Sequence, residues 1–194
     1  SLTKSDLLDI LKQLDIERVA EILVLSGEVH PESNRRIKWF TKVKEICELA
    51  LSFGFLPHTN VGPLSWPEME QLKKVNVSMG LMLEQINPQF MQTVHKYAPS
   101  KEPKLRSQQL EWAGELKIPF TTGILLGIGE TQSDIRDSLE EIARIHQKWG
   151  HIQEVILQPY SPGTQESLSG LGFDIAKLPQ VIQLARQILP ADIT

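Results

Sequence analysis

The sequence predicts an α/β fold in which parallel strands alternate with helices, as an open doubly wound sheet or as part of a (β/α) barrel. Three observations lead there. Short continuous apolar runs such as "EILVL" and "GILL" read as strands buried on both faces. Stretches of helical apolar spacing separate these runs. The connections are short, which suits right-handed β–α–β crossovers. In either arrangement the functional groups belong at the C-terminal ends of the strands.

The elements follow in order. Thr3 with Asp6 three residues on resembles a capping box, and Leu7, Leu8, Leu11 and Leu14 share one helical face behind it. "EILVLSGE" (21–28) is the first strand, ending at Gly27. Residues 35–53 carry a helical stripe through Ile37, Phe40, Val43, Cys47 and Ala50. "GFLPHTNVG" (54–62) is the second strand. Ser65 and Glu68 bracket Pro67 in another capping box, opening a short helix to about Lys74. "VNVSMGLMLEQ" (75–85) is the third strand and "KLRSQQLEWAGELK" (104–117) a helix. "IPFTTGILLG" is the fourth strand, after which Thr131 and Asp134 mark a helix start. The long helix over 133–149 shows Ile135, Leu139, Ile142, His146 and Trp149 on one side, as core. "IQEVILQPY" (152–160) is the fifth strand, and 174–189 is mostly helical with Pro179 near its start. The segment 161–172 reads as an exposed loop rather than a boundary, so one domain is expected over 1–194.

Bulk properties exclude several functions. The 194 residues carry a net charge of −4 with both signs mixed along the chain, which gives no general attraction to nucleic acid. No apolar stretch approaches the roughly 20 residues of a membrane span. The histidines show no metal-ligand spacing. The one cysteine, Cys47, sits in an apolar stripe and reads as a small buried hydrophobe, and a single thiol suits the cytoplasm.

The strand ends carry the chemistry. They are Ser26–Gly27–Glu28, His58–Thr59–Asn60, Glu84–Gln85, Gly127–Ile128–Gly129–Glu130 and Gln158–Pro159–Tyr160. Carboxylates, amides, a histidine and bare backbone suit a polar ligand with amino and hydroxyl groups. Gly127 and Gly129 match neither a phosphate loop nor a dinucleotide fingerprint. They form a plain turn into a helix or leave backbone open to a flat heterocycle. Glu28 is either a helix partner or a ligand for a cation. Glu84 is either an edge carboxylate paired with a lysine or an acceptor for paired hydroxyls. His58 is a packed histidine or an acid–base group.

These residues resemble radical S-adenosylmethionine enzymes. Ser26–Gly27–Glu28 is similar to that superfamily's Gly-Gly-Glu motif, with Ser in the first place. "GILLGIGE" (123–130) fits its G-x-I-x-G-x-x-E pattern, with Leu125 at the Ile position. Glu84 stands where the superfamily keeps a ribose-binding carboxylate. "LPHTNVGPLS", "SMGLMLE", "IPFTTGILLGIGET" and "GHIQEVILQPYSP" narrow the resemblance to the CofG family, the deazaflavin-forming subunit of FO synthase. "GIGET" argues against the partner-subunit and aminofutalosine-type families.

The resemblance implies a partial TIM-like barrel of the radical SAM type, with this chain as its middle portion. It implies S-adenosylmethionine and a 4Fe–4S cluster as cofactors. The reaction implied forms 7,8-didemethyl-8-hydroxy-5-deazariboflavin, with ammonia loss, from a tyrosine-derived ribitylaminouracil adduct that the FO synthase partner subunit supplies. Ser26, Gly27 and Glu28 are expected to hold the methionine ammonium, Glu84 the ribose, and Gly123, Leu125 and Gly127 the adenine, with Gln158 beside the cofactor. His58, Asn60, Thr122 and Lys101 are expected on the substrate side, Lys101 being otherwise a solvated loop lysine.

One departure matters. The superfamily's C-x-x-x-C-x-x-C loop is absent from this sequence, and thiolates are what hold an iron–sulfur cluster. A fragment without the first and last barrel strands is therefore expected, inactive alone, with open sheet edges that favour self-association. The alternatives are a non-radical barrel enzyme and a non-catalytic nucleoside-binding fragment.

Overall fold

The computed structural model describes residues 3–162 and 171–194. The chain forms two compact units, Ser1–Gly80 and Leu81–Thr194.

The first unit contains α1 (Lys4–Gln13), β1 (Glu21–Leu25), α2 (Arg36–Ser52), β2 (Leu56–Asn60), α3 (Trp66–Lys73) and β3 (Ser78–Gly80). The box opening α1 forms as expected: Thr3 Oγ1 accepts from Asp6 N–H at 3.2 Å, and Asp6 Oδ2 accepts from Thr3 N–H at 2.8 Å. β1 lies parallel to β2, with Leu25 opposite Asn60, and β2 parallel to β3, with His58 opposite Ser78. Leu11, Ala50 and Phe55 form a core on which Leu7, Ile22, Leu49 and Phe53 pack. Cys47 is fully buried beside Asn76, and burial pushes its thiol up to about 11. It is a packing residue.

The start of α2 differs from the expected stripe. Ile37 is 82% exposed, and its neighbour Arg36 takes the buried place. Charge satisfaction is the reason. Arg36 Nε and Nη2 donate to the two oxygens of Glu68 at 2.8 and 2.6 Å, and its nitrogens also reach Val29 O and Pro63 O. The guanidinium also lies over Trp39, 4.5 Å from the ring centroid. Glu68 meanwhile closes the box that opens α3, accepting from Ser65 N–H at 2.8 Å.

Burial raises the Glu68 carboxyl, but hydrogen bonds from Arg36 and Ser65 outweigh it and leave the pKa below its ordinary value. A depressed carboxyl stabilises the fold above its unfolded value, near 4.3, and that stability is lost as pH falls through the folded value. Thermal unfolding should therefore drop on acidification below about pH 4.5. Glu68→Gln should flatten that profile and cost about 2 kcal/mol at neutral pH, because one charged hydrogen-bond partner is lost. Circular-dichroism melts across the pH range check this, and an unchanged profile in the variant contradicts it.

The second unit contains α4 (Pro103–Glu115), β4 (Phe120–Leu126), α5 (Gln132–Trp149), β5 (Ile152–Pro159) and α6 (Leu178–Ile188), with 3-10 turns at Pro88–Gln92, Pro99–Lys101 and Ile175–Lys177. β4 and β5 pair in parallel from Phe120 opposite Ile152 to Leu126 opposite Pro159. Ile124 and Leu126 are fully buried, as a continuous apolar strand requires. Thr131 and Asp134 form the expected box at the start of α5, and Gly150 ends that helix at φ +66°. Thr194 donates to Gln153 O at 2.9 Å and accepts from Val155 N–H at 3.0 Å, so the chain's last residue runs along β5.

Two expectations fail here. Trp149 is not core: it is exposed, with its indole N–H on Glu111 at 2.6 Å, because a ring N–H needs an acceptor. The strand expected over 75–85 also stops at Gly80. From Leu81 the chain bulges, and the Thr122 side chain replaces a ladder bond by donating to Leu81 O at 2.9 Å and accepting from Leu83 N–H at 3.1 Å.

Candidate functional site

Past the bulge, Glu84 pairs with β4 as a single-residue bridge. Glu84 N–H donates to Gly123 O at 3.1 Å, and Glu84 O accepts from Leu125 N–H at 3.0 Å, on either side of Ile124. Glu84 sits at φ +69°, uncommon for a residue with a side chain. The residue is 5% exposed, and its backbone is bonded to the Gly123–Leu125 stretch.

Two cations attend it. Lys101, at the end of the Pro99–Lys101 turn, forms a direct ion pair with Glu84 Oε1. Arg106 Nη1 lies 3.8 Å from the same oxygen. Arg106 is fixed by its own bonds, Nε to Ser100 O at 2.7 Å and Nη1 to Met82 O at 2.8 Å. His95 is buried nearby. Burial lowers its pKa; Glu84 opposes this, while Lys101 and Arg106 add to it, and the net direction favours the neutral ring. Its Nε2 has no hydrogen-bond partner among the described residues.

Glu84 is thus the lysine-paired carboxylate that the sequence left as one option, and Lys101 is not a solvated loop lysine. Arg106 and His95 escaped the sequence reading. One signal pointed to the arginine: Arg106 shares the buried face of α4 with Leu110 and Ala113, an apolar stripe where an unpaired cation does not belong.

The β4 candidates separate by environment. Thr122 is fully buried, and its hydroxyl is committed to the bulge at 81–83. Gly123 is tight on both sides: an added Cβ would stand 2.2 Å from Ile156 O and 2.9 Å from Met82 Sδ. Leu125 O accepts from Gln85 Nε2 at 2.8 Å, and Gln85 Oε1 accepts from Ser138 Oγ at 2.9 Å. Gly127, at φ +89°, takes the backbone of Gly172 and Phe173 against its open side. Glu130 turns back so that its two oxygens accept from Gly127 N–H at 2.7 Å and Ile128 N–H at 2.8 Å. The glycine passage is therefore self-capped at its amides. A cleft of about 760 Å³ opens beyond it, lined by Gly129, Arg136, Phe173 and Lys177 among others. Gln158 is exposed on β5, opposite Leu125.

In the first unit, Ser26 Oγ donates to Gly27 O at 3.0 Å and accepts from Trp39 Nε1 at 2.7 Å. Glu28 runs against Gly62, whose added Cβ would lie 2.4 Å from Glu28 Cγ. Gly62, at φ +85°, thus makes room for that carboxylate, a role no local pattern announced. Asn60 ends β2 half-buried, and His58 Nδ1 lies 2.8 Å from Ser78 Oγ.

Residues 1–158 match the Radical SAM superfamily. The chain belongs to the radical SAM superfamily. Two curated relatives, both named 7,8-didemethyl-8-hydroxy-5-deazariboflavin synthase, come from Trichormus variabilis and Trichodesmium erythraeum. The first is 62% identical over 186 residues, covering 96% of this chain and 55% of the relative. The second is 64% identical over 174 residues, covering 90% and 54%. The chain thus spans about half the length of the curated relatives it matches. Among solved structures it resembles HydG, a maturase of the [FeFe]-hydrogenase, with a TM-score of 0.79 at 16% identity, over 98% of this chain and 44% of that one. That likeness shows the fold, the α/β partial TIM-like barrel class expected from the sequence. Among the described residues no helix is long and apolar enough to cross a membrane.

Membership in this radical SAM family implies S-adenosylmethionine and a 4Fe–4S cluster. The residues here do not fit the cluster. Cys47 is the one cysteine, its thiol is buried and held protonated, and among the described residues no three His, Cys, Asp or Glu side chains are grouped for a metal. The nucleoside is different. A buried carboxylate on a residue whose backbone is bonded to a strand is chemically suited to a ribose diol.

Proposed function

We propose that the full-length protein is a radical SAM enzyme that forms 7,8-didemethyl-8-hydroxy-5-deazariboflavin in deazaflavin coenzyme biosynthesis, and that this chain is a middle, nucleoside-gripping portion of its barrel. The relatives at 62% and 64% identity support the reaction. One structural observation carries the binding role: Glu84, buried and locked onto Gly123 and Leu125 by its own backbone. S-adenosylmethionine supplies the hydrogen-abstracting chemistry when bound, and the protein's part is to orient it and exclude water.

Glu84 accepts from the ribose hydroxyls, and the backbone from Gly123 through Leu125 to Gly127 lies along the adenine, with Gln158 at its exposed side. Ser26, Gly27 and Glu28 are the first unit's candidates for the methionine ammonium. His58 and Asn60 are its candidates for the substrate, and Lys101 is the second unit's. The substrate is the tyrosine-derived ribitylaminouracil adduct delivered by the partner subunit, and the setting is cytoplasmic. By itself this chain acts as a nucleoside binder without redox chemistry, a reading favoured by its lone, protonated thiol.

Titration calorimetry with S-adenosylmethionine tests the assignment. Glu84→Gln keeps the shape and removes the charge, so affinity should fall about tenfold or more. Equal affinity in the two proteins would take the ribose role away from Glu84.

A further inference from the structure

The Glu84 carboxylate already has an occupant. Lys101 pairs with Oε1, an atom that a ribose hydroxyl would also need. The pair is asymmetric in burial: the Glu84 side chain is 7% exposed and that of Lys101 29%. Lysine reaches the site on a flexible stem from a 3-10 turn, so it can leave toward water. Arg106 cannot, being 2% exposed and bonded to two backbone carbonyls. With Lys101 gone, Arg106 still stands 3.8 Å from the carboxylate. A second polar atom there, the buried Nε2 of His95, has no hydrogen-bond partner among the described residues, and its residue is 7% exposed.

We propose that Lys101 is a resident counter-ion that ligand binding exchanges: a vicinal diol takes its place on Glu84, and the displaced ammonium pairs with an anionic group of the ligand. The inference rests on the reading of Glu84 as a ribose acceptor. It makes Lys101 a specificity residue. A neutral diol gives the carboxylate new hydroxyl donors but leaves the displaced ammonium without a counter-charge, whereas a ligand bearing a carboxylate restores that pairing. The site therefore selects nucleosides with an anionic tail over bare nucleosides.

The test is titration calorimetry on the 194-residue chain with adenosine, 2′-deoxyadenosine and S-adenosylhomocysteine, which carries a carboxylate. Wild type should favour S-adenosylhomocysteine over adenosine. Lys101→Met should tighten adenosine roughly tenfold, the scale of one charge-assisted bond no longer displaced, and should close most of that gap. Circular dichroism checks folding, and Lys101→Gln carries the same expectation if the Met variant fails to fold. Weakened or unchanged adenosine binding in the folded variant overturns the exchange. Glu84→Gln separates the two readings. If it abolishes the preference for adenosine over 2′-deoxyadenosine while Lys101→Met changes nothing, the exchange alone is wrong. If it leaves that preference intact, or if no variant binds any of the three, the ribose role of Glu84 falls and the exchange with it.

Discussion

Arg106→Leu should lower the stability of the second unit by about 3–5 kcal/mol, the range for removing one partner of a buried charge network. Leucine fills much of the space yet offers no donors. Met82 O and Ser100 O lose this donor, and Glu84 loses its fixed cation while keeping the part-exposed Lys101. The 3-10 turn at Pro99–Lys101 then loses its tie to the bulge at 81–83. Arg106→Lys should recover little, because one ammonium cannot span two carbonyls and a carboxylate in the geometry of a guanidinium fork. Urea unfolding followed by far-ultraviolet circular dichroism measures the loss. A cost under about 1 kcal/mol would mean that the network is not structural.

Gly127→Ala should cost about 2–5 kcal/mol, from two independent sources. The left-handed backbone, φ +89°, penalises any side chain by about 1–2 kcal/mol. The new methyl would also stand 2.4 Å from Phe173 N and 2.6 Å from Gly172 C, which are backbone atoms without a rotamer to escape into. Overpacking of that kind costs about 1–3 kcal/mol more. The Gly172 N–H bond to Gly127 O, 2.8 Å, should lengthen or break. Thermal melts give the stability, and amide hydrogen exchange at Gly172 reports the contact. An alanine variant that melts like wild type would show that the segment at 172–173 yields freely.

Local signals were legible wherever the interaction spans three or four residues. Thr3–Asp6, Ser65–Glu68 and Thr131–Asp134 all cap as their spacing indicates, since partners that close in sequence meet whatever the rest of the chain does. Gly62 and Gly127 each follow a strand, yet sequence could not say what each glycine makes room for. Gly62 yields to Glu28, and Gly127 to a segment some 45 residues downstream, with both distances set by packing.

The sequence by itself determined the alternation of strand and helix, the glycine-ended strand tips, the burial of Cys47 and the family resemblance, because periodicity, turn chemistry and motif are written in neighbouring residues. Only the tertiary structure decided that the third strand breaks at Gly80, that Arg36 rather than Ile37 turns inward, and that Glu84 meets Lys101 and Arg106. Each outcome depends on a hydrogen-bond or charge partner from a distant part of the chain. A buried polar group takes whichever partner the fold brings to it, and one-dimensional patterns carry no record of that meeting.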